Sequence, residues 1–409
     1  MKNVLVGQSG GPTAVINASL YGVVTEALSH KEDIGHVYGM LHGIEGFLQD
    51  RYMDMGAVLS PDELELLKLT PAAYLGSCRY KLPEDLTSPV YKTIFEKFAA
   101  LDIGYFFYIG GNDSMDTVSK LSRYAAGTDS TIRFIGIPKT IDNDLIQTDH
   151  TPGYGSAAKY VASTVREIVL DATVYKQKAV TIIELMGRHA GWLTAASVLA
   201  RKNPHDNPML IYLPEAPFEM EQFAHDLQSA LEKRNCVIVC VSEGIADRSG
   251  TFICEYGDEA AVDNFGHKML TGCGKVLENF VRNRFGVKVR SVELNVSQRC
   301  SGMVASKTDI EEASSAGAAG IKAALSGENG RMIAFVRTSA PGEPYHMECR
   351  TVDVNEVCNQ EKPVPLEWIT KGGSDISDDF AEYALPLIQG EARRIMKDGL
   401  PVYLFRDAD

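Results

Sequence analysis

Short apolar runs that end in glycine-rich or polar turns recur along the chain, and most are followed by residues spaced as on a helix. Val4-Leu5-Val6 leads into GQSGGPT and then a helical pattern from Ala14 to about Leu28. Ile103 to Ile109 leads into GGNDS and a helix starting near Met115, and Phe134 to Ile137 leads into PKTIDND. Ala179 to Leu185 leads into MGRHAGW and a helix through about Leu199. Met209 to Leu213, Val237 to Val241, Val287 to Leu294 and Met332 to Val336 complete the set. Uninterrupted apolar strands alternating with helices predict parallel sheets covered on both faces, hence an α/β fold. Two stretches, about 244–270 and 338–380, are more polar and less periodic, and read as insertions or surface loops. Sites in such sheets form beyond the carboxyl ends of the strands. Here the Gly- and Asp-rich loops lie at those ends.

Charge narrows the ligand. The 409 residues carry 54 acids against 40 bases, a net charge of −14, which repels phosphate backbones and anionic lipid. No nucleic-acid or membrane partner is expected, and any anionic ligand needs a local cluster of Lys and Arg. No apolar stretch approaches the ~18 residues of a membrane span, and the first strand is too short for a signal-peptide core. The eight cysteines show no CxxC pairing and no zinc spacing, which fits reduced thiols in a cytoplasmic protein.

Four loops carry the candidate chemistry. Gly10 and Gly11 let backbone approach a ligand ahead of a helix N-terminus, a place that suits anions or merely tight packing. The loop lacks both the Gly-Lys-Ser/Thr ending of a P-loop and dinucleotide spacing. In GGNDS, backbone N–H groups and Ser114 can bind phosphate, although Asp113 and Ser114 also suit a plain helix cap. PKTIDND is the most specific: Asp142 and Asp144 beside Lys139 and Thr140 combine a base, a possible metal ligand and a cationic clamp, the equipment of phosphoryl transfer. Arg188 in MGRHAGW is placed to grip a phosphoryl group. Glu243 suits sugar hydroxyls, and Arg290 with Arg299 a terminal phosphate.

Together these segments, with LGSCRY around Arg79 and DHTPGYGSA at 149–157, resemble the bacterial-type phosphofructokinase family and specifically its pyrophosphate-dependent branch. They run in that family's order from Gly7 to Arg299. Asp113 and Lys139 replace the two glycines of the ATP-using branch. The first occupies space where a nucleotide's α-phosphate would lie, and the second supplies a cation to a short donor. The resemblance implies that Asp142 accepts the proton of the sugar 1-hydroxyl, with Lys139, Asp113 and Arg188 completing the catalytic set. It implies Gly11, Arg79 and Ser114 as donor-binding residues. Thr140, Asp144, Met186, Gly187, Glu243, Arg290, Gln298 and Arg299 then bind substrate. Mg²⁺ is the implied cofactor; Asn112 holds the place of an Asp associated with it, and its amide oxygen can contact a hydrated ion without formal charge. Val296 stands where His or Tyr is usual, which leaves room for sedoheptulose 7-phosphate beside fructose 6-phosphate.

The implied architecture is two Rossmann-like α/β domains facing across a cleft. Residues 1–155 with about 303–375 would bind the donor, and 156–302 with about 376–409 the sugar phosphate. The implied assembly is a homodimer or tetramer, with basic residues reaching across a subunit boundary. The expected reaction is reversible phosphorylation of fructose 6-phosphate by pyrophosphate. The alternatives are an ATP-dependent sugar-phosphate kinase of the same fold and a non-catalytic sugar-phosphate sensor.

Overall fold

The computed structural model describes residues 1–256, 272–340 and 342–406, so much of the polar stretch 244–270 lies outside the described residues. The chain forms strands β1 (Lys2–Gln8), β2 (Ile34–Met40), β3 (Tyr52–Asp54), β4 (Ile103–Gly110) and β5 (Arg133–Pro138), then β6 (Ala179–Leu185), β7 (Leu210–Tyr212), β8 (Cys236–Ser242) and β9 (Lys288–Glu293), and finally β10 (Arg331–Arg337) and β11 (Met347–Asp353). Among the described residues these make two main sheets. The first has the order β11-β10-β5-β4-β1-β2-β3, and the second β7-β8-β6-β9. The second is parallel throughout, whereas the first is parallel at its centre with antiparallel β3 and β11 at its edges.

The continuous apolar runs follow from this layering. Val4 and Val6 of β1 join one core with the helices Ile16–Ser29 and Lys307–Leu325. Leu5 joins the opposite core with Phe98, Phe106 and Phe134. In the second sheet Val180 and Ile182 face one core, and Ile183 and Leu185 the other. The central strands β1, β4, β5, β6 and β8 therefore bury both faces and do not alternate polar with apolar.

The helices Ile16–Ser29 and Lys307–Leu325 cross with almost no side chain between them. A Cβ on Gly22 would sit 1.9 Å from the Ser314 carbonyl oxygen, and one on Gly317 would sit 2.1 Å from that of Ser19. This contact couples the N-terminal helix to a helix that follows the whole second sheet.

The stretch 338–380 is not a set of surface loops. It contains β11, whose edge position leaves its residues partly exposed and so removes the apolar run that marks a central strand. It also contains a segment that spans the two sheets. The helix expected through Leu199 is α-helical only over Trp192–Ala195 and continues as a 3₁₀ turn over Ala196–Ala200.

Candidate active site

The loops after β1, β4, β5, β6 and β8 converge between the two sheets. Lys139 anchors the first three. It is buried, its backbone N–H donates to the Gly110 carbonyl at 2.9 Å, and its ammonium donates to the Gly11 carbonyl at 2.7 Å. Gly10 has a positive φ of 76°, which a side chain would strain, and a Cβ there would meet the Lys139 ammonium at 3.4 Å. A Cβ on Gly11 would lie 3.1 Å from a guanidinium nitrogen of Arg299. Arg299 and Arg79 are close enough to Lys139 for their charges to act on it. Three cations thus gather on the first glycine loop, inside a protein of net charge −14.

The acidic loop is shaped by its own polar side chains. The Asp142 amide donates to the Thr140 hydroxyl at 3.0 Å, and Asn143 takes a left-handed φ of 55°. The Asn143 carboxamide oxygen accepts the Thr151 amide at 3.1 Å, and its nitrogen donates to the Tyr383 hydroxyl at 2.8 Å. Asn143 is therefore the pivot that fixes Asp142 on one side and Asp144 on the other.

On the second sheet, Gly187 has a φ of 139°, and its amide donates to Glu243 at 3.3 Å. A Cβ on Gly244 would lie 1.9 Å from the Arg188 carbonyl oxygen, so the loops after β6 and β8 pack backbone to backbone. Arg188 lies close enough to Glu243 for its charge to favour the ionised carboxylate.

The electrostatics across the cleft are unusual for carboxylates. Burial, then the neighbouring charges of Asp144 and Glu243, pushes Asp142 up to about 7, against the opposing pull of Lys139 and the Thr140 hydroxyl. Burial likewise takes Glu243 up to about 7. Burial takes Lys139 down to about 8, with Asp142 and Asp144 opposing and Arg299 and Arg79 adding to the drop. A base and a cation whose titrations both fall near neutrality, side by side, can exchange and stabilise charge at ordinary pH.

Several sequence expectations are redistributed. The Asp113 carboxylate is 70% exposed and pairs with Lys81 rather than Lys139, at 3.0 Å. Lys139 instead takes Asp142 and Asp144 as its acidic partners. Arg290 and Arg299, expected together at one terminal phosphate, lie apart: Arg299 joins the glycine loop. Arg290 pairs in register with Thr181, low on β6, and lines an open cavity of about 170 Å³ with Tyr175 and Lys288. That register places it below the strand ends where the other residues meet. Gln298 is buried and donates to the Asn295 carbonyl at 2.9 Å, closing its own turn. Ser114 tucks its hydroxyl beneath Gly110, where a Cβ would meet it at 1.8 Å. Met186 is half-buried against the second-sheet core. Lys81 was legible only as a neighbour of Arg79 in one loop, and Tyr383 carried no signal in the sequence.

Asn112 offers an oxygen to a cation. Its nitrogen donates to the Gln360 carbonyl at 2.8 Å, while its buried carboxamide oxygen has no hydrogen-bond partner. Among the described residues no three His, Cys, Asp or Glu side chains form a metal cage. An amide oxygen beside the Asp142–Asp144 loop suits a hard ion that keeps most of its ligands from water and phosphate, as Mg²⁺ does.

The phosphofructokinase family model matches residues 3–323. A protein of Methylococcus capsulatus named pyrophosphate--fructose 6-phosphate 1-phosphotransferase is 39% identical over 98% of this chain and 95% of its own. A relative of the same name from Xanthomonas campestris is 40% identical over the same shares. The crystal structure of a pyrophosphate-dependent phosphofructokinase from Nitrosospira multiformis superposes with a TM-score of 0.89 at 37% identity, covering 98% of this chain and 96% of that one. Matching loops, matching length and matching fold converge on one conclusion: the chain belongs to the phosphofructokinase family.

Proposed function

We infer that the enzyme transfers a phosphoryl group from pyrophosphate to the 1-hydroxyl of fructose 6-phosphate, giving fructose 1,6-bisphosphate and phosphate, reversibly. The observation that carries this reading is Lys139: a buried cation bonded to the glycine loop, with the base Asp142 three residues away. In this reading Gly11, Arg79, Ser114 and Lys139 receive the donor phosphates. Thr140 and Asp144 flank the base, and Arg188 meets the phosphoryl group in transit. Glu243, Gly187 and Met186 face the sugar. Mg²⁺ arriving with pyrophosphate would be held by Asn112 and Asp144 and would neutralise developing charge on the phosphates. We propose that the first sheet serves the donor and the second the sugar phosphate. We further propose that the active form is a homo-oligomer in which Arg290, remote from the site of its own chain, reaches a sugar phosphate in a neighbouring copy. No helix among the described residues is long and apolar enough to cross a membrane.

The test of donor identity is a steady-state comparison of pyrophosphate and ATP at fixed fructose 6-phosphate and Mg²⁺. Pyrophosphate should be preferred by at least about 10²-fold in kcat/KM, because Asp113 held by Lys81 fills and charges the space beyond the second phosphate. Comparable efficiencies would support the ATP-dependent kinase instead.

The acid–base pair also sets a pH profile. Asp142 accepts a proton only when ionised, so forward kcat/KM should rise as pH passes about 7. Lys139 clamps phosphate only when protonated, so it should fall as pH passes about 8. A narrow bell between those limits is the expected result, and a flat profile from pH 6 to 9 would remove one or both residues from the mechanism.

A further inference from the structure

We infer that Lys362 is a positioning residue, which pins the Asp142–Asp144 loop between the two sheets. The inference rests on the phosphotransferase reading for its kinetic consequence, though not for its geometry.

Lys362 lies in a segment that touches each part of the site in turn. Two residues earlier, the Gln360 carbonyl accepts the Asn112 side chain at the start of the phosphate-loop helix. The backbone N–H of Lys362 donates to the Asp144 carbonyl at 2.7 Å. Its ammonium donates to the Thr148 carbonyl at 3.0 Å and the Asp149 carbonyl at 2.8 Å, on the far limb of the same acidic loop. Its own carbonyl accepts the indole N–H of Trp192 at 2.8 Å, and its ammonium stands 5.1 Å from the centre of that indole. Trp192 begins the helix behind Arg188, on the second sheet. Two residues on, the Val364 amide and the Gly191 amide share the Glu215 carboxylate, each at 2.8 Å.

One residue thus holds both limbs of the loop that carries Asp142 and ties them to the element that carries Arg188. The other brace is Tyr383, whose hydroxyl donates to the Asp149 carbonyl and accepts from Asn143, each at 2.8 Å. Transfer between two substrates bound on different sheets depends on the base lying in line with both. A misplacement of about 1 Å can cost up to 10²-fold in rate without loss of binding. Carbonyl oxygens gripped by an ammonium give a rigid, charge-assisted anchor that an apolar side chain of equal length cannot replace.

The test compares Lys362→Met with Lys362→Arg. The methionine variant should lose about 10- to 30-fold in kcat while KM for pyrophosphate and for fructose 6-phosphate each change less than about threefold. The arginine variant, which keeps a cation for the two carbonyls, should stay within about threefold of the parent. Independently of any reaction, hydrogen–deuterium exchange in peptides spanning 139–153 should quicken in the methionine variant, with β1 and β6 unchanged. A raised KM with preserved kcat, equal damage from Met and Arg, or unchanged exchange would each overturn the inference. If Lys362→Met fails to fold, Trp192→Phe removes the bond to the Lys362 carbonyl and shrinks the ring beneath its ammonium, and should lower kcat about threefold; no change there overturns the inference as well. A parent enzyme inactive with pyrophosphate but showing the exchange difference would sink the proposed reaction and leave the pin standing.

Discussion

Asp142→Asn is expected to lower kcat by about 10²–10⁴-fold while leaving KM for fructose 6-phosphate nearly unchanged. Asparagine preserves the shape of the side chain and can still accept a hydrogen bond from Thr140, while the backbone bond from residue 142 to the Thr140 hydroxyl is untouched, so the loop keeps its form. What it cannot do is take a proton. The carboxylate is suited to that task because burial and the charges of Asp144 and Glu243 bring its titration near neutrality. The loss should be equal in both directions, since the group that accepts the proton forward must donate it in reverse. Initial rates measured from pyrophosphate and from fructose 1,6-bisphosphate with phosphate would check this. A near-normal kcat would remove Asp142 from the chemistry and favour a sensor.

Lys139→Met should cost pyrophosphate turnover about 10²–10³-fold. The substitution removes the cation aimed at the donor and the bond to the Gly11 carbonyl that holds the first glycine loop. It has a second effect that a surface lysine would not have. Lys139 stabilises ionised Asp142, so without it the acid limb of the pH profile should move upward. The two substitutions should therefore be non-additive in a double-mutant cycle. Asp113→Gly, by contrast, should add independently to Lys139→Met, because Asp113 is paired with Lys81 while the acids acting on Lys139 are Asp142 and Asp144. Turnover and pH profiles of the single and double variants decide both points.

The eight expected strands are all present, and the central ones announce themselves as unbroken apolar runs because both their faces are buried. β2 was not legible, since Gly35 and His36 interrupt it with two exposed positions. Nor was β11, whose side chains are half in solvent at a sheet edge. The site was legible where glycines and carboxylates cluster after strands, as in GGNDS and PKTIDND. Partnerships were not. Which arginine joins the glycine loop and which lies low on the second sheet depends on register, and Arg290 and Arg299 look alike in a sequence. Lys362 was hidden for another reason: it works through backbone carbonyls, and every residue has one.

The order in which strands are added to the first sheet has a consequence for synthesis. β5 ends at Pro138, yet its neighbour β10 begins at Arg331, about 190 residues later, with the second sheet entire in between. The helix that closes tightly on Gly22 also comes only at Lys307–Leu325. At typical translation rates that gap leaves an open edge of β5 and a bare helix groove exposed on the ribosome for about 10–40 s. The second sheet, all of whose strands lie between Ala179 and Glu293, can close in that interval. The strands of the second sheet can then be paired before those of the first, and the growing chain carries an open β5 edge until β10 is made.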